Sequence, residues 1–299
     1  MIVIDLHRLD LNRRTGPVAY ALPLAKALLE LGGYEAWWPG ERQPSGGLWL
    51  YADGSPPDRP GQVAFVYDLA HLSRRRLLGP TVWLRQNWSI AAATRRAALV
   101  VAPSRWLADG LGRYLRVRSS RVAVVPPGLE QDWKRASRSE VAQLRERRRL
   151  PSVYFAAFGG PRRRRNLFLL SEAWRRTRLA KAELVIVDEF EPDLAALLSG
   201  ATAYLDAGLA EGCPTGVLQA MACGTPPLVS ADAALPEVSG AAGIVLDPDD
   251  PGAWAAAMTL LVREPDLRAD LSRRSRALAA GFSARSAAET LDRALTPYR

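Results

Sequence analysis

Short apolar runs alternate with stretches of helical periodicity along the whole chain, and this alternation restricts the possible folds more than any other feature. Residues 2–6, 48–51, 63–67, 98–102 and 122–125 read as strands. Between them, residues 18–31 form an amphipathic helix that stops at Gly32-Gly33, and residues 82–97 form a second. Ser104 stands where a helix N-cap belongs. The polar stretch 8–17 and the Pro- and Gly-rich stretches 39–47 and 53–61 read as loops. Strands that alternate with helices build parallel sheets, so the chain is of the α/β class.

A second series follows a change in composition. Residues 131–149 are charged and helical without a clear core stripe, and read as a connection between domains. A strand at 153–158, a helix at 166–178, a strand at 183–187, a helix at 192–198 and a strand at 201–205 come next, and a last helix spans 284–295. With 299 residues, 48% of them apolar, the chain is globular and long enough for two domains of ordinary size. No apolar run is long enough to span a bilayer. Met1 leads directly into the strand-like Ile2-Val3-Ile4-Asp5, which reads as the absence of a signal peptide. Cys213 and Cys223 lie around one short helix, without disulfide or metal spacing, and read as thiols of a reducing cytoplasm.

The net charge is +9, and Lys occurs only at Lys26, Lys134 and Lys181, so the excess is carried by Arg. Biased genome composition is the plain explanation. The sharper one is an anionic partner, either a membrane surface or a lipid-linked phosphate. No DNA-binding motif is present, so no nucleic acid partner is expected.

Two segments carry chemistry. In Glu211-Gly-Cys-Pro-Thr-Gly-Val-Leu-Gln-Ala-Met-Ala-Cys-Gly-Thr-Pro-Pro227, the residues Gly212, Pro214 and Gly216 break regular structure. Val217, Leu218, Met221 and Ala222 then give a helical apolar face, and Gly224 is suited to end that helix in a positive-φ conformation. A helix start preceded by glycines offers free N–H groups to a phosphate, and the Glu211 carboxylate just ahead of it can grip sugar hydroxyls. In Gly159-Gly160-Pro161-Arg162-Arg163-Arg164-Arg165-Asn166, a strand gives way to a helix. Glycines allow the tight turn, and guanidinium groups pair with phosphate in two-pronged fashion. Four arginines alone would usually be a solvated turn; their position between strand and helix favours a ligand.

The first of these segments resembles the donor site of family 4 glycosyltransferases, Glu-Gly-Phe-Gly-Leu-Pro-x-Leu-Glu-Ala-Met-Ala-x-Gly-x-Pro. The likeness continues through Ala234-Leu235-Pro236-Glu237-Val238, Gly243-Ile244-Val245-Leu246-Asp247-Pro248 and Phe282-Ser283. It is dense from about residue 201 onward and patchier upstream. It implies the GT-B architecture: two Rossmann-like domains, 1–133 and 151–283, facing across a cleft, with the C-terminal helix 284–299 packed back on the first. It also implies a retaining glycosyltransferase of polysaccharide biosynthesis. Such an enzyme moves a hexosyl group from a nucleotide-diphosphate sugar to a glycan or lipid-linked acceptor, in the cytoplasm, with peripheral contact to an anionic membrane.

On this alignment Arg165, then Arg164, neutralises the leaving diphosphate, with Gly159, Gly160, Thr215 and Gly216 supplying backbone at the phosphates. Glu211 holds the donor sugar. Gln219 replaces the family's second Glu, which serves the ribose. From the first domain, Thr15-Gly16-Pro17-Val18-Ala19-Tyr20 resembles the family's Gly-rich loop, of which Gly16 and Tyr20 remain. Tyr67-Asp68-Leu69-Ala70-His71 resembles a His-Asp-Leu segment in which Tyr67 replaces the sugar-contacting His and Asp68 is kept. His71, in the following turn, is a substitute for that His, although a lone loop His is more often merely exposed. His7 has the same status. No Asp–His pair stands out, and a retaining enzyme needs none, because the leaving phosphate can accept the acceptor's proton. No cofactor beyond the donor and no metal site are expected.

The departures support a second expectation. Gln219, Pro214, Val18, Tyr67 and the short stretch 188–194, where the family holds its nucleobase, also suit a non-catalytic GT-B-like partner of another glycosyltransferase. A membrane scaffold that uses the basic surface ranks third.

Overall fold

The computed structural model describes residues 2–7, 9, 16–44, 47–52, 54–130, 132–160, 163–188 and 191–299, with the side chain of Arg75 left aside. The chain forms two compact units: Met1–Glu130 with Phe282–Arg299, and Gln131–Gly281.

In the first unit, strands β1 (Ile2–Asp5), β2 (Tyr34–Trp37), β3 (Leu48–Tyr51), β4 (Val63–Phe65), β5 (Leu99–Ala102) and β6 (Val122–Val124) form one sheet, in the order β2-β1-β3-β4-β5-β6. Every pairing in it is parallel. β1, β4 and β5 are buried along their whole length, which is why they read as unbroken apolar runs. Helices α1 (Gly16–Leu31), α2 (Ala70–Ser73), α3 (Pro80–Arg96) and α4 (Arg105–Leu115) connect them. The Ser104 hydroxyl accepts the Leu107 amide at 3.2 Å and caps α4. α3 begins two residues ahead of the expected start because Pro80 is suited to a first helical turn. The sequence reading missed β2, a partly exposed strand with no apolar run, and carried β4 two residues too far.

In the second unit, β7 (Val153–Phe158), β8 (Ala182–Val187), β9 (Ala203–Asp206), β10 (Pro227–Ser230) and β11 (Ile244–Leu246) form a sheet of order β11-β10-β9-β7-β8, again parallel. Its helices are α5 (Arg138–Arg148), α6 (Leu167–Thr177), α7 (Leu194–Gly200), α8 (Thr215–Ala222), α9 (Leu235–Ser239), α10 (Pro251–Arg263) and α11 (Pro265–Ala279). Phe155, Leu170, Leu205, Trp254, Met258 and Leu261 lie at the centre of its core. The buried Trp254 indole N–H donates to Asp247 O at 2.9 Å, so the ring brings no unsatisfied donor into the core.

The charged stretch read as a connection between domains is α5, and it packs inside the second unit. Ser137 and Glu140 close a capping box, Leu144 is buried, and Arg147 and Arg148 pair with Asp193 and Glu191 beside α7. A single buried leucine explains why no core stripe was visible. β9 lies one to two residues later than the expected strand, which makes Asp206 its last residue.

The chain then returns to the first unit as α12 (Ala284–Leu295), which buries Ala287, Ala288, Leu291 and Leu295 and packs on α1. Ser283 caps it by accepting from Ser286 N at 3.1 Å. Leu129 N donates to Phe282 O at 2.7 Å and Ala284 N to Leu129 O at 3.3 Å, forming a short parallel bridge. Gly128 makes this approach possible, because a Cβ there would lie 2.4 Å from Ala284 Cα. Gly128→Ala is therefore expected to destabilise the first unit by about 1–3 kcal/mol. Gly79→Ala, with nothing within 4 Å of the new methyl, should change stability by less than about 0.5 kcal/mol. Urea midpoints of the two variants check this.

Candidate functional site

β7 and β9 are neighbours in the second sheet, so the loops that leave their carboxyl ends lie side by side. After Phe158, Gly159 N donates to Val187 O at 2.9 Å and Gly160 takes a φ of 114°. Pro161 and Arg162 lie outside the described residues. Arg163 is exposed, while Arg164 and Arg165 turn inward. Asn166 closes the loop in the left-handed region, at a φ of 51°, with its side-chain amide donating to Pro248 O at 2.9 Å. The neighbouring loop is tied on by Leu209 N, which donates to Arg164 O at 2.8 Å.

The structure brings Arg164, Arg165 and Glu211 together. Arg164 Nε lies 3.3 Å and Arg165 Nη1 3.4 Å from the same Glu211 Oε1. A further carboxylate joins them, with Asp206 Oδ2 3.7 Å from Arg165 Nη1. The Glu211 and Asp206 side chains are 9% and 4% exposed, whereas Arg164 and Arg165 keep 24% and 20%. The carboxylates thus form the floor and the guanidinium groups reach solvent. Asp206 is held from below: Gly208 N donates to its Oδ1 at 3.1 Å and the Tyr204 hydroxyl to its Oδ2 at 3.4 Å. A side chain at Gly208 would meet both acids, 2.8 Å from Asp206 Oδ1 and 2.8 Å from Glu211 Cγ.

Burial raises the Asp206 carboxyl above the usual range; the Arg165 charge opposes this and the Glu211 charge reinforces it. Burial, followed by the Asp206 charge, pushes the Tyr204 hydroxyl well up. The Cys213 thiol is also raised, by burial and then by Glu211, which leaves it unreactive as a nucleophile.

The other expected positions behave differently. Thr215 N, expected to face a phosphate, donates instead to Cys213 O at 2.9 Å. Gly216 is a packing position, since a Cβ there would lie 2.5 Å from Phe158 Cε2 and 2.8 Å from the Tyr204 hydroxyl. Gln219 is buried on α8. Gly224 ends that helix with a φ of 79°. Residues 189 and 190 of the shortened base segment lie outside the described residues.

In the first unit, Gly16 opens α1, and Thr15 lies outside the described residues. Tyr67 and Asp68 follow β4 and line a cavity of about 840 Å³ with Pro17, Ser55, Phe65 and Trp88. The Tyr67 hydroxyl donates to Ala52 O, and Asp68 Oδ1 accepts the Ala70 amide at 3.0 Å. His71, expected in an exposed turn, is buried on α2, and neither ring nitrogen has a hydrogen-bond partner among the described residues. Burial holds its pKa below the ordinary value, against the pull of Asp68. His7 is part of a pair the sequence reading did not expect: its Nδ1 is 2.6 Å from Asp5 Oδ1, and its ring stacks on Trp37 at 3.8 Å. The two residues flank the end of β1, and only the exact strand end shows that both turn to one side.

Among the described residues no cluster of three or more His, Cys, Asp or Glu could hold a metal, and no helix is long and apolar enough to cross a membrane.

Two parallel sheets with helices, in this order, are the fold of the GT-B glycosyltransferases. Anabaena HepE, solved in complex with UDP and glucose, matches with a TM-score of 0.74 at 16% identity, over 99% of this chain and 100% of that one. WaaG, a glycosyltransferase involved in lipopolysaccharide biosynthesis, matches with a TM-score of 0.74 at 13% identity, over 99% of each. More narrowly, residues 135–264, which lie within the second unit, match the family model "Glycosyl transferases group 1". A stretch of 93 residues is 34% identical to O-antigen chain mannosyltransferase B of Escherichia coli; it is 31% of this chain and 24% of that protein, about a quarter of its length.

Asp206 provides a stability test. Its pKa is raised on folding, so the native state binds its proton more tightly than the unfolded chain does. Its contribution to stability should therefore fall as pH rises from about 3.9, the ordinary Asp value, through its raised native value. Urea unfolding between pH 4 and 7 should show this decline in the parent, and Asp206→Asn should remove it.

Proposed function

We propose that the chain transfers a sugar from a nucleotide-diphosphate donor to a glycan or lipid-linked acceptor, with retention of configuration. The observation that carries this reading is the convergence of Arg164 and Arg165 on Glu211 at the strand ends of the stretch that matches the group 1 glycosyltransferase model. The bond between the anomeric carbon and the diphosphate oxygen breaks, and the acceptor hydroxyl oxygen forms the new bond on the same face of the sugar. The hydroxyl proton passes to the departing diphosphate. The chemistry therefore requires positive charge fixed where the diphosphate charge grows, and the exposed edges of the two guanidinium groups supply it. Glu211, already oriented by both arginines, accepts hydrogen bonds from sugar hydroxyls. Asp206 acts behind Arg165 and holds it in place. HepE was solved with UDP and with UDP-glucose, which makes a uracil nucleotide the first donor to test.

Calorimetry with UDP, GDP and ADP tests the reading. One of them should bind, and Arg165→Ala should weaken it about 10- to 100-fold, the value of a charge-assisted hydrogen bond. Glu211→Ala should remove the preference for the sugar nucleotide over the bare nucleotide. If an intact fold binds none of the three, the non-catalytic partner becomes the better reading. Gln219, Pro214 and the internally bonded Thr215 amide favour that alternative.

Peripheral contact with an anionic membrane at the cytoplasmic face belongs to the same proposal. Val82, Leu84 and Trp88 are exposed on α3, with the exposed Arg85 among them and Arg74 and Arg76 just before the helix. Apolar side chains bordered by arginines suit a lipid interface. Sedimentation with vesicles containing anionic phospholipid should bring the chain down, less so as salt rises. Leu84→Ser/Trp88→Ser should abolish the salt-resistant fraction.

A further inference from the structure

The second unit has another cavity, at the opposite edge of its sheet from Asp206. Ala201 and Thr202, just ahead of β9, and Gly224 and Pro226, just ahead of β10, place it at the amino ends of the strands. Its volume is about 450 Å³, within the range of small-molecule sites. Four arginines line it: Arg135 from the segment before α5, and Arg268, Arg273 and Arg276 from α11. No carboxylate lines it among the described residues.

Gly224 marks the point where these groups meet. A Cβ built there would lie 3.0 Å from Arg276 Nη1, 3.3 Å from Ser272 Oγ and 3.5 Å from Arg135 Cδ. The Ser272 hydroxyl, itself buried, donates to Gly224 O at 2.6 Å and accepts from Arg276 Nη1 at 3.1 Å. Arg268 Nη1 donates to Leu261 O at 2.7 Å. Arg276 and Arg268 are thus oriented by neutral oxygens, which fix direction without cancelling charge. Among the described residues, Arg273 alone of the four pairs with a carboxylate, Asp270 at 2.7 Å. The donor-side arginines differ in this respect, because both sit on acids. Guanidinium groups gathered around a recess without a lining acid repel one another, and a bound anion removes that repulsion.

We propose that this pocket binds a phosphate-bearing anion, either the phosphate ester of a small soluble molecule or the phosphodiester headgroup of a lipid. Guanidinium forks pair with phosphate oxygens in two-pronged fashion, and the Ser272 hydroxyl stands among them. The pocket is connected to the donor side by two elements: β9 begins at Ala203, next to Thr202, and ends at Asp206, and α8 begins at Thr215, four residues past Glu211, and ends at Ala222, two residues before Gly224. The inference does not depend on the glycosyl-transfer reading.

The test is calorimetric titration of the full chain with inorganic pyrophosphate at constant ionic strength. Saturable binding is expected, weakened at least tenfold in Arg135→Ala/Arg276→Ala. It should be unchanged in Arg113→Ala/Arg263→Ala, which removes the same charge from exposed sites elsewhere, and retained in Arg164→Ala/Arg165→Ala. Two arms separate the sources. Saturable binding of glycerol 3-phosphate that is lost in Arg135→Ala/Arg276→Ala identifies a soluble ester. A loss seen only with phosphatidylglycerol vesicles identifies a lipid headgroup. Should the double variant lose its far-UV dichroism, Arg135→Glu, at an exposed side chain, is read in the same way. The proposal is overturned by pyrophosphate binding that is absent, that sodium chloride screens without saturation, or that is lost with Arg164 and Arg165 but kept without Arg135 and Arg276.

Discussion

The guanidinium group of Arg165 reaches both acids on which the candidate site is built. It lies 3.4 Å from Glu211 and 3.7 Å from Asp206, so one side chain after β7 faces the acid that ends β9 and the acid in the loop that follows. Both acids are nearly buried, and their desolvation is tolerable only because a cation is fixed between them. Gly208 must be small for the acids to approach, Tyr204 donates to one of them, and the Leu209 amide ties the loops together. The network explains how Arg164 and Arg165 are held beside one another. It also leaves the outer edges of Arg164 and Arg165 exposed to solvent.

The sheet order makes this pairing possible. β7 and β9 are distant in sequence but adjacent in the sheet, and parallel strands deliver both following loops to the same edge. The core beneath, centred on Phe155, Leu205 and Trp254, keeps the two strands in register. Gly216 contributes to the same packing. Its lack of a side chain lets α8 lie against Phe158 and Tyr204, the residues that flank the site.

Much of this was legible in the sequence, and the reason is that parallel strands buried on both faces are written as unbroken apolar runs. β1, β5 and β7 stood out for that reason; Glu211 and the arginines after β7 stood out instead through the Gly- and Pro-rich segments that carry them and their resemblance to a glycosyltransferase donor site. Partly exposed elements did not. β2 carries no apolar run, and α5 presents one buried leucine amid charge. Asp206 was missed because an error of one residue at a strand end decides whether a carboxylate belongs to a strand or a loop. The Asp5–His7 pair was hidden in the same way at the end of β1. His71 was read as a turn residue, whereas a four-residue helix buries its ring. The amide of Thr215 was read as available, and only the tight turn at Cys213 shows that it is taken.

The first unit is discontinuous, and this affects how the molecule is made. Phe282–Arg299 completes it, with Ala287, Ala288, Leu291 and Leu295 covering α1. A ribosome releases Met1–Glu130 well before that helix exists, so an apolar flank of α1 stays uncovered while the whole second unit is synthesised. Gln131–Gly281 is continuous and can close its own core first. The order of maturation is then the reverse of the order of translation, and the nascent amino-terminal half is the part that needs shelter from aggregation.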